Sequence, residues 1–356
     1  MKRRSHRTAS DNRRRGGVGG APATLLFVCL LIALVLGLAR RALAEPITIR
    51  VAGGVVPGVM TPVVMELKQQ LTHYGKSYVT EVSYFRGSSP QIQALAAKQL
   101  DLGYLAFGSF PSAILNAKLD LEIVADFIQE GPEGHFSAVR AVRADSGITK
   151  VEDLRGKRIG IIAFGTGNDL GNRAMLKRHG LEFGKDYTMV EVQPPNMGAM
   201  LREGKIDLAW LTTPFWFIEE RKGGLRKLFD GVDAMGPTQV LVMVGRKEFL
   251  AANKAAVQDF FEDYLRGLRY ALDPKNREEL LELVSRLGKR PKEAFASWVF
   301  TKRDYYRDRD GIPNIKALQA NIDLLTEVGL IKTKFDVSRY VNLSYIKEAA
   351  GRLGKP

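Results

Sequence analysis

The chain of 356 residues contains one cysteine, Cys29, and four histidines. A single thiol excludes an internal disulfide framework and any multi-cysteine metal site. His73, His135 and His179 stand far apart in sequence. His73 and His179 fall near predicted helix ends, where a solvent or dipole contact accounts for them. His135 sits in a predicted connection, where contact with a ligand is also open. There is no H-E-x-x-H, no G-x-S-x-G and no G-x-x-x-x-G-K-[ST], so metalloprotease, hydrolase-elbow and P-loop chemistry lack their signatures. The run Gly165-Thr-Gly-Asn-Asp-Leu-Gly171 is glycine-rich but lacks the dinucleotide spacing. Metal-ligand clusters are missing too, and no metal or cofactor is expected. A composition of 45% hydrophobic and 26% charged residues excludes disorder as the main state.

Only one long apolar run occurs, Leu25 to Ala39, and it is shorter than the roughly 20 residues that span a bilayer. Lys2, Arg3, Arg4, Arg7 and Arg13 to Arg15 precede it, and Ala42-Leu43-Ala44 follows. A basic region, a short apolar core and an A-x-A site describe an export signal over residues 1–44, cleaved after Ala44. Arg40 and Arg41, lying between core and site, leave open a retained anchor. The overall charge of +14 then belongs largely to the leader. Removing it takes nine basic residues and one acidic residue and leaves +6, poor support for a nucleic-acid partner.

Beyond the leader, strand and helix patterns alternate. Ile47 to Ala52, Tyr78 to Phe85 and Leu100 to Phe107 read as strands; helices follow from Thr61-Pro62 to about Tyr74 and from Gln91 to about Lys98. A second set follows: strand Arg158–Ala163, helix Leu170–His179, strand Tyr187–Gln193 and a helix from Asn196. Leu95-Ala-Ala-Lys-Gln-Leu-Asp101-Leu-Gly-Tyr104-Leu105 recurs as Leu201-Arg-Glu-Gly-Lys-Ile-Asp207-Leu-Ala-Trp210-Leu211. Two such units predict two α/β lobes, each around a largely parallel sheet. The strand Gln239–Val244 and the helices beyond it return to the first lobe. The expected boundaries are 45–135 with 238–356 for the first lobe and 136–237 for the second, a topology that permits hinge closure.

Ligands of open α/β sheets sit beyond the carboxyl ends of the strands. Those ends read Gly53-Gly54, Ser88-Ser89 after Arg86-Gly87, Phe107-Gly108-Ser109, Thr166-Gly167-Asn168 and Thr212-Thr213. Small and hydroxyl residues at helix N-termini suit an anionic group; singly, each is also an ordinary cap or turn. Tyr104, Phe107, Trp210, Phe215 and Trp216 are available as apolar walls, with core packing as the competing role for each.

Three segments carry a resemblance: Gln91-Ile-Gln-Ala-Leu-Ala-Ala-Lys-Gln-Leu-Asp-Leu-Gly-Tyr104, Val151-Glu-Asp-Leu-Arg-Gly-Lys-Arg-Ile-Gly160 and Val341-Asn-Leu-Ser-Tyr-Ile-Lys-Glu-Ala349. With these in order, the chain from about Ile47 to Ala349 resembles the nitrate/sulfonate/taurine-type solute-binding proteins of ABC importers. The resemblance implies a type II periplasmic-binding fold of two α/β lobes, with the five loops just named around the ligand. It implies a small anionic organic solute and, as partner, an ABC permease with its ATPase; a periplasmic sensor serving a membrane signalling partner is the alternative on the same fold. Thiamine-pyrimidine synthases and desulfinases of this fold depend on cysteines. With none after Cys29, neither enzyme is expected, and the working unit is expected to be a periplasmic monomer. N-terminal sequencing of the exported protein should begin at Glu45; a start upstream of Leu25 means a retained anchor.

Overall fold

A computed structural model describes residues 45–354; the leader lies outside the described residues. The order of strands explains the molecule. β1 (Ile47–Gly53), β2 (Tyr78–Tyr84), β3 (Leu102–Ala106) and β4 (Leu121–Glu130) join β10 (Thr238–Arg246) in a sheet ordered β2-β1-β3-β10-β4. β1 pairs in parallel with β2 and β3, whereas β10 runs antiparallel to both its neighbours. The second set is β5 (Val139–Arg143), β6 (Arg158–Ile161), β7 (Thr188–Glu191), β8 (Ala209–Leu211) and β9 (Leu225–Asp230). It forms β8-β5-β9 and β6-β7, joined by a parallel bridge between Ile159 and Leu208. Read through that bridge, the order β7-β6-β8-β5-β9 repeats the first sheet. In each, the antiparallel strand is the one the chain enters from the other lobe. The repeat of Asp101 and Asp207 is therefore a repeat of architecture.

Both aspartates do the same work. The first-to-third strand ladder is thin: β1 and β3 share only the pair Val51–Leu102. Asp101 reinforces it by accepting from the Arg50 backbone N–H at 2.9 Å and from the Arg50 guanidinium at 2.8 and 2.6 Å. Arg246 of β10 adds a further bond at 2.6 Å. In the second lobe Asp207 accepts from the Arg158 N–H at 2.9 Å and from its guanidinium at 3.0 and 3.2 Å.

Each lobe has apolar packing beneath its sheet. Helix Lys254–Leu272 buries Val257, Phe260, Phe261, Tyr264, Leu265 and Leu268, the positions its sequence spacing predicts. Apolar spacing over Phe249 to Leu272 predicts one helix, and the structure instead has two, Lys247–Ala252 and Lys254–Leu272. The helix expected to reach Tyr74 ends at Glu66 and gives way to a 3₁₀ turn. The buried Asp263 carboxylate captures the backbone N–H groups of Thr72, His73 and Tyr74 at 2.8–3.1 Å, which removes them from any helical ladder. Among the described residues no helix is long and apolar enough to cross a membrane.

The two clamps differ in burial. Asp101 is fully buried, whereas the side chain of Asp207 is 23% exposed and that of Arg158 46%. Asp101→Ala should therefore cost about 3–5 kcal/mol, since it strands two guanidinium groups. Asp207→Ala should cost about 1–2 kcal/mol, the range of a half-exposed pair with a backbone bond. Burial pushes the Asp101 carboxyl up, but the bonds from Arg50 and Arg246 outweigh it and hold its pKa below the ordinary value. Its contribution is thus present above about pH 4, the unfolded value, and is lost as pH falls below it. Urea unfolding of both variants at pH 7 and pH 3.5 reads the difference; equal costs at pH 7 contradict the ranking.

Candidate functional site

The carboxyl ends of strands from both lobes open on one cavity of about 450 Å³. Gly87 and Ser88 reach it from the first lobe, and Thr166, Gly167, Asn168, Thr212 and Thr213 from the second. Gly87 has φ +98°, a left-handed turn that suits glycine and aims the N-terminus of helix Ser88–Ala96 inward. Helix Gly167–Arg178 presents its N-terminus from the opposite side. Two helix N-termini thus meet at one space, a partial positive charge from each lobe. The lining contains no acidic residue, and its one cationic side chain is Arg86, exposed at the rim.

Hydrogen bonds within the loops decide which donors remain free. The Ser88 hydroxyl oxygen accepts from the Ala106 N–H at 3.1 Å, and its proton has no acceptor among the described residues. Asn168 Oδ1 accepts from the Ile162 N–H at 2.9 Å. That fixes the amide orientation and leaves Asn168 Nδ2 buried with no acceptor. Thr213, 1% exposed, has a buried Oγ1 with no partner at all. Thr212 Oγ1 lies 2.5 Å from Tyr305 Oη. Either hydroxyl donates to the other, so the pair retains one O–H for a third group. Burial, first, and the nearby Glu130 push the Tyr305 phenol well above its ordinary value, so it stays neutral. Four uncharged donors on residues that line the cavity therefore lack acceptors among the described residues. A buried donor without a partner costs about 1–3 kcal/mol, and an oxyanion bound here removes that cost.

Other lining residues are apolar, among them Val55, Val59, Phe85, Ile162 and Trp210. The lining suits a molecule with a charged head and a hydrocarbon body.

Several expected site residues stand one layer away. Gly54 admits the Tyr104 ring, since a Cβ there would strike Tyr104 Oη, and the Gly53 carbonyl accepts from that hydroxyl at 3.2 Å. Tyr104 lines the cavity; they do not. Ser89 Oγ donates to the Phe164 carbonyl at 3.1 Å and Ser109 Oγ to the Gly165 carbonyl at 2.7 Å, tying the two lobes together beside the cavity. Gly108 sits where a Cβ would strike Leu170 at 2.2 Å, again across the lobes, and Phe107 is buried in the core. The Thr166 hydroxyl is committed to the Ala163 carbonyl at 2.7 Å and shapes its loop. Phe215 is buried and Trp216 packs against the core, both outside the cavity lining. His135 Nδ1 lies 3.1 Å from the Asp304 carbonyl oxygen, while His73 and His179 neighbour acidic side chains; no histidine lines the cavity. Among the described residues no cluster of histidine and acidic side chains could hold a metal ion.

Tyr305 was not legible in the sequence. Its segment has no strand or helix pattern, and it reaches the site because Tyr306 pairs with Gln129 at the end of β4. Pro194 and Pro195, also lining, fall between the strand expected to end at Gln193 and the helix expected from Asn196, where the sequence pattern assigns them no role.

Comparison places this geometry. An alkanesulfonate-binding protein, SsuA from Xanthomonas axonopodis pv. citri, bound to MOPS, superposes with a TM-score of 0.66 at 20% identity, over 85% of this chain and all of that one. A desulfurization enzyme, DSZB, superposes with a TM-score of 0.62 at 14% identity, over 86% of this chain and all of that one. A relative from Escherichia coli (strain K12), described as a "Putative aliphatic sulfonates-binding protein", is 25% identical over 279 residues, 75% of this chain and 80% of its own length. The molecule has the periplasmic-binding fold of two α/β lobes about a cleft. Its family follows from residues 81–277, which match the model described as NMT1/THI5 like; the chain belongs to that family.

The unpartnered hydroxyl makes a test that needs no ligand. Thr213→Val keeps the shape and removes a buried orphan, so thermal unfolding of ligand-free protein should show stability unchanged or raised by up to about 1 kcal/mol. A loss greater than about 1 kcal/mol would mean that the hydroxyl has a partner.

Proposed function

We propose that the protein is the extracytoplasmic solute-binding component of an ABC importer, which captures a small organic anion of the sulfonate class and delivers it to a membrane permease with its ATPase. The observation that carries this reading is the pair of buried, unpartnered donors, Asn168 Nδ2 and Thr213 Oγ1, at a cavity with no acidic lining. The sulfonate-binding relatives support it, as does the export signal read in residues 1–44. A sulfonate offers three oxygens to the Ser88, Asn168, Thr213 and Thr212–Tyr305 donors and two helix N-termini. Uncharged donors preorganised in a pocket hold an anion without the cost of burying a counter-charge. Since the donors come from both lobes, ligand favours the form in which the lobes meet, and the permease reads that population shift.

Isothermal titration of residues 45–356 should show binding of organic sulfonates and none of an amine of matched size. Asn168→Leu and Thr213→Val should each weaken binding about 10- to 100-fold, the loss of one hydrogen bond to a charged group. Ser88→Ala should weaken it by about 0.5–3 kcal/mol. Failure of every anion in a panel of sulfonates, nitrate and aromatic acids to bind would overturn the reading.

A further inference from the structure

Building on the anion reading above, we infer that the solute carries an aromatic ring, as an arenesulfonate or arenecarboxylate, and that Trp210 is the residue that selects it. The cavity of about 450 Å³ is some three times the roughly 150 Å³ that holds a benzene ring. This is its size with the lobes already tied across the cleft by Ser89, Ser109 and the Thr212–Tyr305 pair. A head group alone leaves most of it empty.

Trp210 is the feature that needs an occupant. Its strand neighbours Ala209 and Leu211 are fully buried in the second lobe's core. Alternation therefore turns Trp210 to the opposite face, with Thr212. Both line the cavity, while Trp210 joins neither apolar core. The alternation also sets the Trp210 backbone about 7 Å along the chain from that of Thr212, on the same face, a spacing of about the length of a benzenesulfonate. An acid group at the Thr212–Tyr305 hydroxyls thus places its ring at the indole. Phe85 and the Pro194-Pro195 pair supply further flat walls. Flat faces gain more from an offset or edge-on ring than from a flexible alkyl chain, which must also lose rotamer freedom.

Tryptophan fluorescence isolates the event. Of the three tryptophans, Trp298 is fully buried and Trp216 packs against the core, so Trp210 alone lines the cavity. Residues 45–356 are titrated with benzenesulfonate, naphthalenesulfonate and benzoate, and with ethanesulfonate and butanesulfonate, by calorimetry and by fluorescence. The arene acids should bind at least tenfold more tightly than the alkane acids and change the emission. The sulfonate and carboxylate arms show which head group is preferred. Trp210→Leu should bring the arene-to-alkane ratio close to one, and Trp210→Phe should retain part of it. Alkanesulfonates binding as tightly as arene acids would overturn the aromatic inference while leaving the anion reading intact; binding of neither kind would overturn both. The wild-type series decides between these outcomes whether or not a variant folds.

Discussion

In each lobe one carboxylate holds the second strand in sheet order to the third, β1 to β3 in the first lobe and β6 to β8 in the second. Asp101 binds both the backbone N–H and the guanidinium of Arg50, and Asp207 does the same with Arg158. The parallel ladder between those strands is one pair long in the first lobe and a single bridge in the second. Without the aspartates, little besides apolar packing would set the register. A one-residue slip would turn every side chain of the third strand to the other face. Tyr104 and Trp210 each lie three residues beyond the clamp, and both line the cavity. The clamp thus reaches the site through register: fixing Asp101 and Asp207 fixes which aromatics face the ligand space.

The site's electrostatics follow from a choice between buried charge and buried dipole. Buried cations demand compensation, and this chain places its nearest lining cation, Arg86, at the exposed rim. Inside, neutral hydroxyls, an amide and helix N-termini are left short of acceptors. Such donors do little harm in the open, hydrated state and become valuable when an anion displaces water. The net +6 of residues 45–356 adds modest long-range attraction for anions and nothing specific.

What was legible in the sequence was whatever is encoded over short spans. Asp101 and Asp207 recur at matched positions because one local clamp is used twice. The strand ends could be read because glycine, serine and threonine cluster where a strand turns into a helix. The losses all have distant causes. Asp263 ends the first helix from about 190 residues away, and Tyr305 enters the cavity through pairing with β4. Ser89 and Ser109 looked like Ser88, yet their hydroxyls face loop carbonyls of the other lobe. Composition at a strand end marks a neighbourhood; which hydroxyl turns inward depends on the opposite lobe.

That division of hydroxyls links binding to closure. Ser89 and Ser109 grip the carbonyls of Phe164 and Gly165, immediately before Thr166, Gly167 and Asn168. The segment is stiff: Phe164 N–H donates to Glu191, Gly165 N–H to Asp169, Thr166 to Ala163 and Ile162 N–H to Asn168. A stiff loop that meets ligand at one end and the opposite lobe at the other cannot satisfy one contact while the other is misplaced. An anion that draws Asn168 Nδ2 into a hydrogen bond therefore also sets the two carbonyls where the first-lobe serines reach them. The lobe contacts in turn hold the amide in place for the anion. In the proposed function each contact raises the effective concentration of the other, so capture of the anionic head and the contacts between the lobes rest on the same seven residues, Ile162 to Asn168.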